Sequence, residues 1–206
     1  MNTREILEFR RDFYRFLSSL FSGEIPRNFI EDLAERKIEF PRDLTMAEGF
    51  KMLEDFVANH SSVEEALKAA EDEFVRFFSG LSDEIPSTKS EVFGEGAYGR
   101  ISLEVEERMR KLGYIQISKT LPPDHIAVEL DFMAALTESV LVGELDFKTS
   151  VAEQIRFLEE EILACFKEPL EKLEKLGDFY GGVAKVTLAF LNFDKKLLKE
   201  VLLWED

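Results

Sequence analysis

Apolar side chains recur at intervals of three and four along almost the whole chain, and that spacing leaves little room for a sheet. Val63, Leu67, Ala70, Phe74 and Phe77 fall at i, i+4, i+7, i+11 and i+14, one stripe of a helix with 3.6 residues per turn. Ile6, Phe9, Phe13, Phe16, Leu17 and Leu20 make a similar stripe, and Asn2 and Glu5 stand ahead of it at capping-box spacing. The pattern predicts further helices from Pro26, from Thr45 and Glu48, from Ser62 and Glu65, over 102–112, and from Pro123 with Ile126, Leu130, Met133 and Val140 on one face. Ser150 and Glu153 are expected to cap another through Phe166, and 178–191 and 194–203 complete the set. Pro169 is expected to end a helix or open the next.

Two stretches interrupt the periodicity. Residues 79–99, SGLSDEIPSTKSEVFGEGAYG, hold Gly80, Gly94, Gly96, Gly99 and Pro86, and residues 113–123, GYIQISKTLPP, are equally irregular. Loops of that length tend to carry function. With no tandem repeat, low-complexity tract or linker, the expectation is one all-α domain over 1–206, a bundle of about nine or ten helices with two long central loops.

The formal charge of −16 argues against nucleic acid, whose binding needs a basic footprint, and against an anionic membrane surface. Solubility accounts for such a charge, and so does a cationic partner steered by the field. The 19 Phe are expected mostly in the core. A single cysteine, Cys165, rules out an internal disulfide and a Cys-based zinc site. No run of 18 apolar residues occurs, and the start, MNTREILEFRRDF, is amphipathic rather than a leader, so a cytoplasmic chain without membrane insertion is expected.

Motifs for chemistry are weak. GEGAYG, 94–99, matches the dinucleotide-binding letters, but no buried strand precedes it, and Glu95 would set a carboxylate against the phosphates. A di-iron site needs Glu-x-x-His pairs, yet Val57 stands three before His60 and Pro122 three before His125. His125 and Glu129 are i, i+4, but two ligands do not hold a metal. Asp124 and His125 are adjacent, so on a helix they point about 100° apart and make no catalytic dyad. Neither an enzyme, a cofactor nor a metal is expected. PPDH reads as a helix start, with Pro in the first turn and Asp124 at the positive dipole end. That leaves His125 unexplained.

PPDHIAVELDFMAAL, 122–136, resembles the signature of the TorD/DmsD/NarJ family, the cytoplasmic chaperones that mature molybdenum-containing oxidoreductases. Residues 71–96, 153–166 and 177–191 resemble family segments in the same order. The resemblance implies an all-helical, non-enzymatic chaperone. It would bind the twin-arginine signal peptide of a redox subunit and assist cofactor loading and assembly before export. Carried over by residue, Pro122, Pro123, Asp124 and His125 belong to the peptide-binding surface, and Ser90 and Phe93 match the loop before it. Phe93 stands where relatives often have Tyr, and Glu161 and Cys165 where they tend to carry His and Trp, which leaves the roles of these two open.

A leader of this kind is cationic and then apolar. Charge-assisted bonds to two arginines give about 3–6 kcal/mol, whereas micromolar affinity needs about 8 kcal/mol, so an apolar groove must contribute. Asp83, Glu84, Glu91, Glu95 and Asp124 lie in or beside the two loops, with Phe93, Tyr98, Ile126, Phe132 and Met133 near them. Glu91, Glu95 and Glu129 therefore join the candidate peptide-binding residues, while plain core packing is expected of Phe132 and Met133. His125 either donates to a peptide carbonyl or braces the loop, and an ordinary imidazole would make binding sensitive to mild acid. Alternatives are a NarJ-like chaperone for a subunit terminus that is not exported, and an acidic helical adaptor. A monomer and a helix-exchanged homo-oligomer are both compatible with the long loops.

Overall fold

The computed structural model describes residues 2–38, 43–78, 85–117 and 120–203; Asp83 and Glu84 lie outside them. The helices are α1 (Thr3–Phe21), α2 (Arg27–Ala34), α3 (Leu44–Ala58), α4 (Val63–Phe78), α5 (Lys89–Val92), α6 (Arg100–Lys111), α7 (Ile126–Leu141), α8 (Phe147–Phe157), α9 (Ala164–Leu176) and α10 (Phe179–Leu203). A π-helical stretch, Leu158–Leu163, joins α8 to α9. The expected all-α class holds: among the described residues there is no strand, and an isolated antiparallel bridge links Thr88 to His125.

The chain divides into two compact units. One joins Met1–Ser22, Ser87–Phe166 and Phe193–Asp206, and the other joins Gly23–Pro86 and Lys167–Asn192.

In the first unit α1 packs along α7, and Ser18 Oγ donates to the Ala127 carbonyl at 2.7 Å. The expected capping box starts α1: Asn2 Oδ1 accepts from Glu5 N–H, and Glu5 Oε2 from Asn2 N–H, both at 2.9 Å. α7 is buried on nearly every side, which its almost unbroken apolar run IAVELDFMAAL anticipates. Phe132 meets Phe157 edge-on at 4.6 Å between ring centres. A charged cluster lies inside this unit. Arg10 Nε and Nη2 donate to Asp194 at 2.5 and 2.9 Å, Arg10 Nη2 also to Gln154 Oε1 at 2.6 Å, and Tyr14 OH to Asp194 at 2.7 Å. All four residues are fully buried, so the cluster ties α1, α8 and α10 together.

In the second unit α3 and α10 cross at glycines. A Cβ on Gly182 would lie 2.8 Å from Leu53 Cγ, and one on Gly49 only 2.7 Å from Val186 Cγ2, so hydrogen alone fits at the crossing.

Several helix ends differ from the sequence expectation. α3 is capped by Asp43, whose carboxylate accepts from Met46 N–H at 2.9 Å, rather than at Thr45. α8 is capped by Asp146 on Thr149 N–H, leaving Ser150 a turn inside and buried. In both places a nearby aspartate serves the positive helix end better than a hydroxyl. Helix continues through Pro169, where the missing N–H costs one bond and burial of Phe166, Leu170 and Leu173 offsets it. The predicted break near 192 is absent. Asn192 donates to the Leu188 carbonyl at 2.7 Å and Asp194 is paired with Arg10, so both polar residues are used within α10.

Candidate functional site

The proline-rich turn and the loop before α6 are fastened to each other. Thr88 caps the short α5: its Oγ1 accepts from Glu91 N–H, and Glu91 Oε2 accepts from Thr88 N–H at 3.0 Å and Ser87 N–H at 2.8 Å. Next along, Lys89 N–H donates to the Asp124 carbonyl at 3.0 Å, and Ile126 N–H to the Ser87 carbonyl at 2.8 Å. Ser90 then gives two bonds to Asp124 Oδ2, from its N–H at 2.7 Å and its hydroxyl at 2.5 Å. Pro122 accepts from His125 N–H at 3.0 Å, closing the turn, with Pro123 buried beneath it.

His125 is the N-cap of α7. Its Nδ1 accepts from Ala127 N–H at 3.1 Å, which requires that nitrogen unprotonated. Burial carries the imidazole down to about 4, despite Glu91 and Asp124 nearby, so the ring stays neutral in mild acid. Two expectations change here. Histidine at this helix start has a reason, and a ring held neutral by burial speaks against the expected response of binding to mild acid through His125.

Asp124 and His125 are 0 % and 6 % exposed, so neither side chain is presented to solvent. One turn further, Glu129 is also fully buried, and neither of its oxygens, nor Asp124 Oδ1, has a hydrogen-bond partner. Burial pushes the Glu129 carboxyl well above the carboxylate range, with Glu161 adding to the effect.

Glu161 lies on the π-helical stretch, a distortion that often accompanies functional sites. Lys89 Nζ bonds one of its oxygens and Arg108 Nη1 the other, at 2.5 Å for the arginine. Arg108 also reaches Glu160 at 3.1 Å and covers the Phe157 ring at 5.3 Å. Burial alone would lower the Lys89 ammonium, but its bond to Glu161 and the negative charge around it together hold it above its usual value. Cys165 is buried, and burial lifts its thiol to about 11, leaving it protonated and unreactive at neutral pH.

The remaining candidates face outward. Phe93 is 60 % exposed, Tyr98 52 %, and Glu91 is exposed beside Phe93. Glu95 is half-buried. It accepts from Ile101 N–H at 3.3 Å and pairs with Arg100 at 3.2 Å, so a carboxylate of the chain itself occupies the helix start that GEGAYG would need for phosphate. Ile126, Phe132 and Met133 are core. The fold thus brings Ser90 to Asp124 and His125, sets Glu129 further inside, and leaves Glu91, Phe93 and Glu95 on the outer side of the fastened loop. Sequence reasoning missed Lys89 and Arg108. The three consecutive glutamates at 159–161 were the available signal, since a buried one needs cations.

A buried carboxylate and a neutral capping imidazole form a joint that holds two loops, with an aromatic side chain exposed on one of them. Fold and site together define an all-helical protein with two irregular stretches fastened at the start of α7. The chain belongs to the nitrate reductase delta subunit family, whose model matches residues 43–168. It is 35% identical to chaperone protein TorD of Aliivibrio fischeri over 82 residues, 37% of this chain and 38% of that protein. It is 24% identical to chaperone protein TorD of Aliivibrio salmonicida over 207 residues (93% and 95% of the two chains), and 26% identical to that of Vibrio atlanticus over 221 (96% and 98%). These relatives are chaperones, and the expectation of a chaperone of redox-enzyme maturation rather than an enzyme stands with them. Among the described residues no helix is long and apolar enough to cross a membrane.

Proposed function

We propose that this protein is a cytoplasmic chaperone for a molybdenum-containing oxidoreductase subunit, holding the subunit's twin-arginine leader while cofactor loading and assembly proceed. The observation that carries the reading is the exposed Phe93 flanked by Glu91 and Glu95, on a loop pinned to the buried Asp124–His125 turn. An exposed ring with acidic residues two positions away on either side suits a segment that is cationic and then apolar, and a pinned loop loses little entropy on binding. Ser90, Pro122, Pro123, Asp124 and His125 act as the footing of this surface, and Glu91, Phe93 and Glu95 as its contacting face. Glu129 sits behind the footing, where its buried carboxyl holds no bond that a peptide would have to break.

Calorimetry with a twin-arginine leader and its Lys-Lys counterpart tests this. The planar guanidinium fork matches carboxylates as an ammonium does not, so the lysine peptide is expected to bind at least tenfold more weakly, and both more weakly in high salt. Equal affinity of the two would overturn the twin-arginine reading. The alternative is a client whose terminus is not exported; that client would bind without distinguishing Arg from Lys.

A further inference from the structure

The second unit holds a cleft of about 600 Å³, within the range of ligand-binding cavities, that the signature does not touch. Its apolar side comes from Met52 and Phe56 of α3, with His60 just beyond that helix. The Phe56 ring lies 4.6 Å from the His60 ring, and both line the cleft, with the buried Phe179 ring 5.3 Å behind Phe56. Acidic side chains also line it: Asp55 from α3, Asp72 and Glu73 from α4, and Asp178 from the turn into α10.

These carboxylates are not equivalent. Glu73 is already engaged, accepting from the N–H groups of Asp178 and Tyr180 at 2.6 Å each, and burial raises its pKa. Asp55 is paired with Lys51. Asp72 and Asp178 are exposed at the rim. Arg76, the cation lining the cleft, lies over the Phe77 ring at 4.9 Å. Negative charge therefore exceeds positive beside an aromatic wall. The turn wall is fixed by Gly177, where a Cβ would come within 2.8 Å of Gly181 N and 3.2 Å of Phe77 Cε2, so the cleft exists before any ligand arrives.

We infer that this cleft is a second docking site, taking an arginine-bearing segment of a client polypeptide. A guanidinium stacks on the Phe56–His60 wall while its fork reaches the Asp72 and Asp178 carboxylates, and a following apolar residue covers Met52. The site rests on the chaperone reading only in that a client must supply the segment; the leader's own docking surface is a separate matter.

The chain has two histidines, His60 in this cleft and His125 in the signature, so imidazole NMR reports each site separately. The probes are an Arg-Arg-Phe amide tripeptide, its Lys-Lys-Phe counterpart, and the full leader. The tripeptide is expected to shift His60 and leave His125 unmoved. The double variant Asp72→Asn, Asp178→Asn should weaken it about tenfold or more, as Lys-Lys-Phe should also do. Asp72 and Asp178 are both exposed, so the variant should fold, which circular dichroism checks. An unmoved His60, or unchanged affinity in the double variant, overturns the cleft. A tripeptide that fails to shift His60, while the leader binds wild type and double variant equally, sinks the cleft alone; a leader that does not bind, while the tripeptide shifts His60, sinks the leader reading alone.

Discussion

Ser90 and Asp124 stand 34 positions apart, and both the N–H and the hydroxyl of the serine donate to one carboxylate oxygen. That contact turns two irregular stretches into one body, because the bonds from Lys89 and to Ser87 flank it on either side. Ser90→Ala removes one bond to a charged acceptor inside the protein. It is expected to cost about 1.5–3 kcal/mol in urea unfolding and to speed amide exchange across 87–93. Unchanged stability and exchange would show that the joint is held elsewhere.

Arg10 and Asp194 are both fully buried, and each is the other's charge partner. Either single change, Arg10→Met or Asp194→Leu, strands a charge and is expected to cost about 3–5 kcal/mol. The double variant should cost far less than the two singles added. Simple additivity in a double-mutant cycle would rule out coupling through this pair.

His125 sets a pH dependence of definite sign. Its folded pKa of about 4 lies below the unfolded value of 6.5, so between those limits the unfolded chain binds more protons. The contribution is complete above pH 6.5 and is lost as pH falls towards 4, reaching about 3 kcal/mol. His125→Asn keeps a capping side chain without the titration. Its stability curve should be flatter in that window, and a parallel curve would count against the assignment.

Glu129 works in the opposite sense. Its folded pKa is raised by burial, so its contribution is present below the unfolded carboxyl value and is lost as pH rises. Each pH unit over which the native group stays protonated while the unfolded one ionises costs about 1.4 kcal/mol. Glu129→Gln should therefore be more stable than the parent at neutral pH, with the advantage shrinking to nothing near pH 4. Thermal melts at both values decide it.

Much of this was legible in the sequence, and unevenly. The stripes of α1 and α4 follow from local spacing, and so does the capping box at Asn2 and Glu5. The burial of Phe132 and Met133 was expected as well. Helix ends were read less well at Thr45 and Ser150, where an aspartate two to four residues earlier holds the cap. The continuity of α10 was hidden because Asp194 reads as a break until Arg10 is known to meet it. At the candidate site, the resemblance pointed to Ser90 and to the turn before α7 but not to their contact, nor to the burial that removes Asp124 from solvent. The bonds of Lys89 and Arg108 to Glu161 join positions 72 and 53 apart, and nothing in local pattern reports such separations.

The Arg10–Asp194 pair also has a consequence for how the molecule is made. Its partners are separated by 184 positions, which at roughly 5–20 residues per second is about 10–40 s of ribosome time. For most of that interval the arginine of α1 is outside the exit tunnel while the carboxylate destined for it is still untranslated. The first unit therefore closes late, and a nascent chain stalled before residue 194 would carry an unneutralised cation where its core should form.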